Sequence, residues 1–96
     1  MDYCVYIMTN HTNSVLYTGM TNNLLRRVRE HKTGIDASSF SKKYRLYKLV
    51  WFEVFPTPME AILVEKKIKG WVRNKKLSLI KNKNPDFKDL EELIKG

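Results

Sequence analysis

Cysteine is nearly absent from this chain of 96 residues, because Cys4 is the only one. A single cysteine excludes an intramolecular disulfide bond and provides too few thiolates for a zinc site built on sulfur. The composition therefore favours a reducing, cytoplasmic location, and no disulfide-linked partner is expected.

Long apolar runs are absent as well. The segment MDYCVYIMTNHT at the amino terminus has an acidic second residue and only six consecutive apolar residues. A signal peptide needs an apolar core of about 7–15 residues and a membrane-spanning helix needs about 20, so neither is expected, nor is a membrane partner. There is no internal repeat or linker, and the length suits a single domain over residues 1–96 with one modest core.

Acidic side chains are outnumbered by basic ones. Asp and Glu total 10 against 18 Lys and Arg, which gives a net charge of +8. Such an excess favours an anionic partner, with nucleic acid ranked ahead of a membrane surface, although many proteins are basic for solubility alone. The basic residues that could follow a phosphate backbone are Lys42, Lys43, Arg45, Lys69 and Arg73, and the alternative for each is a solvated charge.

Three segments have the composition of strands. YCVYIMT (residues 3–9) and VLYTGM (15–20) are rich in aromatic and β-branched residues and flank the turn-forming stretch NHTNS, which predicts a β-hairpin. LYKLVWFEVF (46–55) has the same composition and predicts a third strand. With the helices described next, this predicts an α+β fold in which helices flank a small three-stranded sheet.

A first helix is predicted over about residues 23–32. Thr21 to Asn23 offer N-caps and Gly34 offers a C-terminal stop. The polar stretch 35–45 that follows is typical of a loop or a single helical turn. The first helix therefore lies directly after the predicted hairpin.

A second helix is predicted to begin at Pro58, because Thr57 is a suitable N-cap and Glu60 completes a capping box. Glu65 falls on its apolar stripe, where a carboxylate costs free energy unless it is paired or binds a cation. The alternative for Glu65 is a partly exposed ion pair with Lys69, four residues later. The apolar members of the stripe are Ala61, Ile68 and Val72.

Two further helices are predicted in the last third of the chain. KKLSLIKN (75–82) favours a short helix, and NPDFKDLEELIK (84–95) repeats the capping pattern, with Asn84 as N-cap before Pro85.

Polar residues converge on the predicted hairpin and first helix. Helical periodicity places His31 on the buried stripe and Arg27 at its edge, so both side chains can reach one point. On the hairpin, Tyr6 and Tyr17 become cross-strand neighbours if the register pairs them. The alternative is that both tyrosines only pack as strand aromatics and that Gly19 only relieves a bend or bulge.

These segments together resemble the GIY-YIG nuclease superfamily, and in particular its small stand-alone bacterial members. That family carries two sequence triplets on a β-hairpin, matched here by residues 4–6 (CVY) and 17–19 (YTG). An arginine and a histidine on the following helix and a metal-binding glutamate on a later helix complete its site. Arg27, His31 and Glu65 match these three residues in order and approximate spacing.

The chain departs from the family pattern at two positions and offers three further candidate site residues. Cys4 stands in place of the first glycine and Thr18 in place of the second isoleucine, which affects the fit of the backbone more than the chemistry. Asn84 is the candidate for a late asparagine of the family, with the N-cap role as its alternative. Gly19 and Thr21 are further candidates, and the alternative for Thr21 is a helix cap.

The residue types suit phosphodiester hydrolysis. Glu65 is a lone carboxylate that suits a single Mg²⁺ or Mn²⁺, and the guanidinium of Arg27 suits bidentate contact with a phosphate. Tyr6 and Tyr17 supply phenols, with Tyr6 preferred as proton acceptor from water and Tyr17 as the orienting group. His31 could relay the proton or hold the phosphate.

The expected function is a metal-dependent endonuclease acting on DNA, selective for structure rather than sequence, with repair or recombination as its setting. One alternative is a non-catalytic nucleic-acid-binding module with the same architecture. Another is a protein-interaction adaptor, which would need an exposed apolar patch. The sequence leaves open RNA as the substrate and the oligomeric state.

Overall fold

The computed structural model describes residues 2–34 and 43–95. Within these residues the strands are β1 (Tyr3–Thr9), β2 (Leu16–Thr21) and β3 (Lys48–Phe55), and the helices with defined bounds are α1 (Leu24–Thr33), α2 (Pro58–Lys69), α3 (Arg73–Lys83) and α4 (Glu91–Ile94). Most of the stretch expected to be a loop or helical turn, residues 35–42, lies outside the described residues. No helix of the described part is long and apolar enough to cross a bilayer.

The three strands form one antiparallel sheet in the order β2-β1-β3. β1 is central, and its residues from Val5 to Thr9 are all buried. This confirms the predicted α+β fold with a three-stranded sheet and flanking helices.

Helices cover both faces of the sheet, because side chains alternate along β1. Val5 and Ile7 pack on the face that α2 and α3 cover, whereas Tyr6 and Met8 pack on the face that α1 covers. The first face is completed by Val50, Trp51, Ala61, Ile68, Ile80 and Phe87, and the second by Leu24, Val28, Leu46 and Leu49.

The predicted helix starts are confirmed by their caps. The Asn23 side chain accepts a hydrogen bond from the backbone N–H of Arg26 at 3.2 Å, and Gly34 ends α1 in the left-handed conformation with φ 69°. At the start of α2, Thr57 Oγ1 accepts from the backbone N–H of Glu60 at 3.3 Å and its hydroxyl donates to the Glu60 carboxylate at 3.0 Å. These interactions are local in sequence, which is why the sequence predicts them.

The carboxyl-terminal predictions were partly wrong. Val72 is 74% exposed, because α2 ends at Lys69 and Val72 has extended backbone before α3. Asn84 is not an N-cap, since it follows the last residue of α3. The backbone at Phe87 has φ 52°, which a right-handed helix does not allow, and its side chain is buried. The last helix is therefore short and begins only at Glu91.

Ion pairs hold the end of α1 against the carboxyl-terminal segment. Lys32 pairs with Asp89 and, at 3.0 Å, with Glu91. Asp89 also accepts from the backbone N–H of Leu49 at 3.0 Å. Burial raises the pKa of Asp89, but Lys32 and the Leu49 N–H outweigh that cost and hold the pKa below its ordinary value. Because α1 carries Arg27 and His31, this anchor helps to position both.

Candidate active site

The candidate site draws on four elements. The structure brings together four of the five predicted residues by direct contact, and the charge of the fifth, Glu65, acts on the Tyr6 phenol. Tyr6 is on β1, Tyr17 on β2, Arg27 and His31 on α1, and Glu65 on α2.

The two tyrosines are diagonal rather than direct neighbours. Tyr6 lies opposite Gly19, and Tyr17 lies opposite Met8. The condition for direct pairing of Tyr6 with Tyr17 is therefore not met, because the register differs by two residues, a shift that keeps both side chains on the same face. Their ring centroids are 6.3 Å apart, so the phenols still share one site.

Gly19 makes room for Tyr6. A Cβ atom at Gly19 would lie 2.5 Å from Tyr6 Oη and 2.6 Å from Tyr6 Cζ. The register between β1 and β2 runs without a bulge, so a bulge is not the reason for this glycine. Gly19 instead allows the Tyr6 ring of the candidate site to lie across β2.

A buried hydrogen bond joins Tyr6 to His31. Tyr6 Oη lies 2.8 Å from His31 Nε2, and the two residues are 1% and 2% exposed. The positive charge of the nearby Arg27 side chain acts to lower the pKa of the phenol. The phenol O–H can donate to Nε2 of a neutral His31, because a neutral imidazole has one acceptor nitrogen. The His31 ring also contacts Tyr17, with centroids 5.0 Å apart.

Tyr6 is held in its neutral form. Burial is the largest cause that raises its pKa well above the ordinary value near 10, and the neighbouring Tyr17 raises it further. The charge and hydrogen bond of Arg27 lower the pKa but only partly offset burial, and the Glu65 carboxylate adds a smaller increase. The Tyr6 phenol is therefore a proton donor at neutral pH.

Arg27 lies between this phenol and a surface carboxylate. Its Nη1 is 3.3 Å from Glu30 Oε1, and its side chain is 28% exposed. Sequence reasoning overlooked Glu30 as a partner, although the i, i+3 spacing on a helix indicates one. The exposed part of the guanidinium is available to an anion that competes with Glu30.

Glu65 fits a divalent cation by its chemistry and its setting. Its side chain is 19% exposed, and Lys69 Nζ lies 3.3 Å from Oε2, which is the ion pair anticipated as the alternative. No group of three or more potential ligands among His, Cys, Asp and Glu occurs within residues 2–34 and 43–95. Mg²⁺ commonly takes one or two protein carboxylates and keeps several waters, so a lone, solvent-reached carboxylate suits it.

The hydrogen bonds of Asn84 give this residue a structural role. Its Nδ2 donates to the carbonyl oxygens of Val50 at 3.0 Å and Lys88 at 2.9 Å, and its Oδ1 accepts from the Lys88 N–H at 3.0 Å. Val50 is the extra residue of a β-bulge, since Ile7 pairs with Trp51 and Met8 with Leu49. Asn84 therefore satisfies a carbonyl at the bulge and fixes the segment after α3.

Thr21 and Thr18 have different surroundings. Thr21 Oγ1 accepts from the backbone N–H of Asn23 at 3.0 Å, but Asn23 rather than Thr21 is the N-cap of α1. Thr18 is buried, and its Oγ1 has no hydrogen-bond partner among the described residues. An unpaired buried hydroxyl costs about 1–3 kcal/mol, so the threonine is tolerated here rather than favoured.

The basic residues that were predicted to contact nucleic acid have different neighbours in the structure. Lys69 pairs with Glu65, and Arg73 Nη2 donates to the Asn13 carbonyl of the hairpin turn at 2.6 Å. Lys43 and Arg45 lie at the surface beside that turn. Lys42 lies outside the described residues.

Comparison with known proteins agrees with this geometry. A family model described as the GIY-YIG catalytic domain matches residues 2–78. A UPF0213 protein of Clostridium perfringens is 40% identical over 94 residues, covering 98% of this chain and 98% of the relative. A UPF0213 protein of Haloquadratum walsbyi is 36% identical over 78 residues, covering 81% of this chain and 86% of the relative.

A solved structure has the same fold. The solution NMR structure of a UPF0213 protein from Bacillus halodurans matches with a TM-score of 0.59 and 29% sequence identity, over 97% of each chain. Because the family model matches most of the chain and the relatives align over most of their own lengths, this chain belongs to the GIY-YIG catalytic domain family, which implies a nuclease-type function.

Proposed function

We propose that this protein is a metal-dependent endonuclease that hydrolyses phosphodiester bonds in DNA, with selectivity for distorted or branched structures. The observation that carries the proposal is the buried hydrogen bond between Tyr6 and His31, 2.8 Å long, in contact with Arg27. A phenol and an imidazole in contact can transfer a proton, and a guanidinium beside them can bind a phosphate.

Arg27 binds the phosphate that is attacked. In the free protein its guanidinium pairs with Glu30 at 3.3 Å, and a phosphate replaces that carboxylate with two charge-assisted hydrogen bonds. A donor placed on a phosphoryl oxygen stabilises the charge that develops there. Arg27 keeps its contact with Tyr6 meanwhile, so the phosphate is brought next to the phenol.

Tyr6 acts as a proton relay rather than as a preformed phenolate. Burial keeps it protonated, so it can accept a proton from water only if it passes its own proton on. The acceptor is Nε2 of His31, 2.8 Å away. The water oxygen then bonds to phosphorus, and the bond from phosphorus to the 3′ oxygen breaks with its electron pair going to that oxygen. The 3′ oxygen takes a proton from solvent to become a hydroxyl, and His31 holds the proton from the attacking water as an imidazolium.

Glu65 is the residue that would hold Mg²⁺ or Mn²⁺. When bound, the cation supplies positive charge for the leaving oxygen and the non-bridging oxygens. The Glu65 carboxylate is paired with Lys69, whose Nζ lies 3.3 Å from Glu65 Oε2 and whose side chain is exposed. An exposed i, i+4 ion pair is worth only about 0.3–0.5 kcal/mol, so it presents little obstacle to a cation.

Selection by structure agrees with the charge of the chain. A net charge of +8 acts on phosphates, which carry no base sequence. Branched or distorted DNA is the substrate that such an enzyme discriminates most readily, because backbone geometry is what it can read. A role in DNA repair or recombination follows from that preference.

The test is a cleavage assay with a Glu65→Gln variant. The substrates are labelled single-stranded, duplex, nicked and branched DNA, together with RNA, each with Mg²⁺, with Mn²⁺ or with a chelator. We expect the wild type to cut only with metal and Glu65→Gln not to cut. Glu92→Gln is the matched control, since it makes the same change in a side chain that is 79% exposed, and it should cut normally.

Two results would contradict the proposal. Normal metal-dependent cutting by Glu65→Gln would remove the role given to Glu65. Tight, salt-sensitive binding without cutting on every substrate would favour the alternative, a nucleic-acid-binding module that keeps the nuclease fold.

A further inference from the structure

An open surface pocket lies beside the β1–β2 hairpin turn. It has a volume of about 540 Å³, within the range of about 300–1,000 Å³ that is typical of pockets for small organic groups. We call it the hairpin-turn pocket. Its lining residues come from two segments and are Asn10, His11, Thr12, Ser14, Val15, Lys43, Tyr44, Arg45 and Tyr47.

Aromatic rings line this pocket from both segments. His11 of the turn packs against Tyr47 of the opposite segment, with ring centroids 4.7 Å apart and planes tilted by 42°. Tyr44 adds a third ring and is 37% exposed. His11 is exposed as well, so the pocket offers aromatic surface to solvent where a core would hide it.

Two cationic side chains lie beside these aromatic rings. Lys43 Nζ lies 5.4 Å from the centroid of the Tyr44 ring, and Arg45 is exposed on the same segment. Arg45 lies in a turn with φ 53°, a left-handed backbone conformation that is uncommon for residues other than glycine. Exposed rings with adjacent Lys and Arg are the composition with which proteins stack unpaired bases and bind the neighbouring phosphates.

Hydrogen bonds hold the hairpin-turn side of the pocket in place before any ligand binds. Asn10 Oδ1 accepts from the backbone N–H groups of Ser14 at 2.9 Å and Val15 at 3.2 Å, and its Nδ2 donates to Ser14 Oγ at 2.8 Å. Thr9 Oγ1 donates to the Val15 carbonyl at 2.6 Å. Little conformational entropy is therefore lost at the turn on binding.

From these observations we propose that the hairpin-turn pocket binds one unpaired nucleobase of the substrate, with the adjacent phosphate against Lys43 and Arg45. The proposal rests on the proposed function, because it names a subsite for the same nucleic acid. Val15 lines the pocket and, like Tyr17, packs against the buried cluster that contains Tyr6. Val15 and Tyr17 are two positions apart, about 7 Å along an extended chain, so a strand of nucleic acid can reach both places.

The test compares two probes that differ only in their bases. One is a short fluorescein-labelled oligothymidylate, and the other is an abasic strand of equal length and charge. Binding is measured by fluorescence anisotropy with a chelator present, so that neither strand is cut. Tyr44→Ala and His11→Ala should each weaken binding of the oligothymidylate by roughly fivefold to tenfold and leave binding of the abasic strand unchanged.

Charge variants locate the phosphate. Lys43→Ala should weaken the binding of both probes to the same degree. It should also reduce by about one the slope of the logarithm of the affinity against the logarithm of the salt concentration. Lys75→Ala is the matched control, since Lys75 is also an exposed lysine over an aromatic ring, 4.5 Å from Trp71. It should leave the affinity for both probes unchanged.

The proposal is overturned if Tyr44→Ala and His11→Ala have no effect, or if they weaken both probes equally, since neither result requires a stacked base. Equal effects of Lys75→Ala and Lys43→Ala would show that the phosphate contact is not local to the pocket. Failure of the proposed function looks different. In that case the wild type does not cut with metal, while the preference for the base-bearing probe persists and still depends on Tyr44 and His11.

Discussion

The Tyr6 hydroxyl and His31 Nε2 lie 2.8 Å apart in a buried position. Tyr6 comes from the central strand and His31 from the helix that covers it, 25 residues later. If this contact relays a proton, the two side chains act as one unit, and removal of either should stop the relay.

Tyr6→Phe should lower kcat by about 10²–10⁴-fold, the usual range for a lost acid–base group. His31→Ala should have an effect of similar size, and the double variant should be no slower than the slower single variant, since both remove the same step. Tyr3→Phe, which removes a hydroxyl on the opposite face of the sheet from Tyr6, is the control. Effects of Tyr6→Phe and His31→Ala that multiply in the double variant would contradict a relay.

The raised pKa of Tyr6 predicts a loss of stability in alkali. A raised pKa means that the folded state favours the neutral phenol, so the contribution is complete below the unfolded pKa near 10 and is lost as the pH rises toward the folded pKa. The free energy of unfolding should fall by up to about 1.4 kcal/mol per pH unit above that point. Urea unfolding of the wild type and Tyr6→Phe on both sides of pH 10 measures this, and the decline should be smaller in Tyr6→Phe.

Gly19→Ala should destabilise the fold by about 1–3 kcal/mol, the cost of forcing an extra methyl group into a packed position. The added Cβ would lie 2.5 Å from Tyr6 Oη, so the Tyr6 ring must move and activity should fall as well. Gly70→Ala is the contrasting control, because its Cβ would meet only carbonyl oxygens at 3.6 Å. That change should stabilise by about 0.4–1 kcal/mol. Thermal melts and activity of the two variants provide the comparison.

Asn84→Ala separates a structural role from a catalytic one. The change leaves the buried carbonyl of Val50 without its donor, and we expect a loss of about 1–3 kcal/mol in the free energy of unfolding. Activity per folded molecule should be unchanged at a temperature where the variant is folded. Asn82→Ala, at an exposed position of α3, should change neither quantity. A selective loss of kcat in a fully folded Asn84→Ala protein would place Asn84 in the site after all.

Lys69→Met should lower the Mg²⁺ concentration needed for half-maximal cleavage by roughly twofold, since it removes an ion pair with Glu65 that is worth about 0.3–0.5 kcal/mol. Lys66→Met makes the same change at an exposed position of α2 and should leave the metal requirement alone. Binding of DNA with a chelator present tests the other expectation for Lys69, a phosphate contact. If Lys69→Met weakens DNA binding without changing the metal requirement, that expectation is favoured instead.

Local interactions made much of this protein predictable. The start of α2 depends on Thr57 and Glu60, three residues apart, and the end of α1 depends on the left-handed backbone of Gly34. Such contacts span about one helical turn, so the sequence determines them wherever the helix later packs. Residue type and spacing, together with the resemblance to the GIY-YIG family, likewise indicated candidate side chains such as Arg27 and Glu65, because those groups suit phosphate and metal chemistry.

Tertiary structure alone decided how these parts meet. The register that sets Tyr6 opposite Gly19, the use of Asn84 at the bulge and the packing of His11 against Tyr47 join residues that are distant in sequence. No local preference specifies such contacts. They follow from which faces the sheet and helices bury together, because a strand register or a buried amide is settled by packing and by the need to satisfy hydrogen bonds.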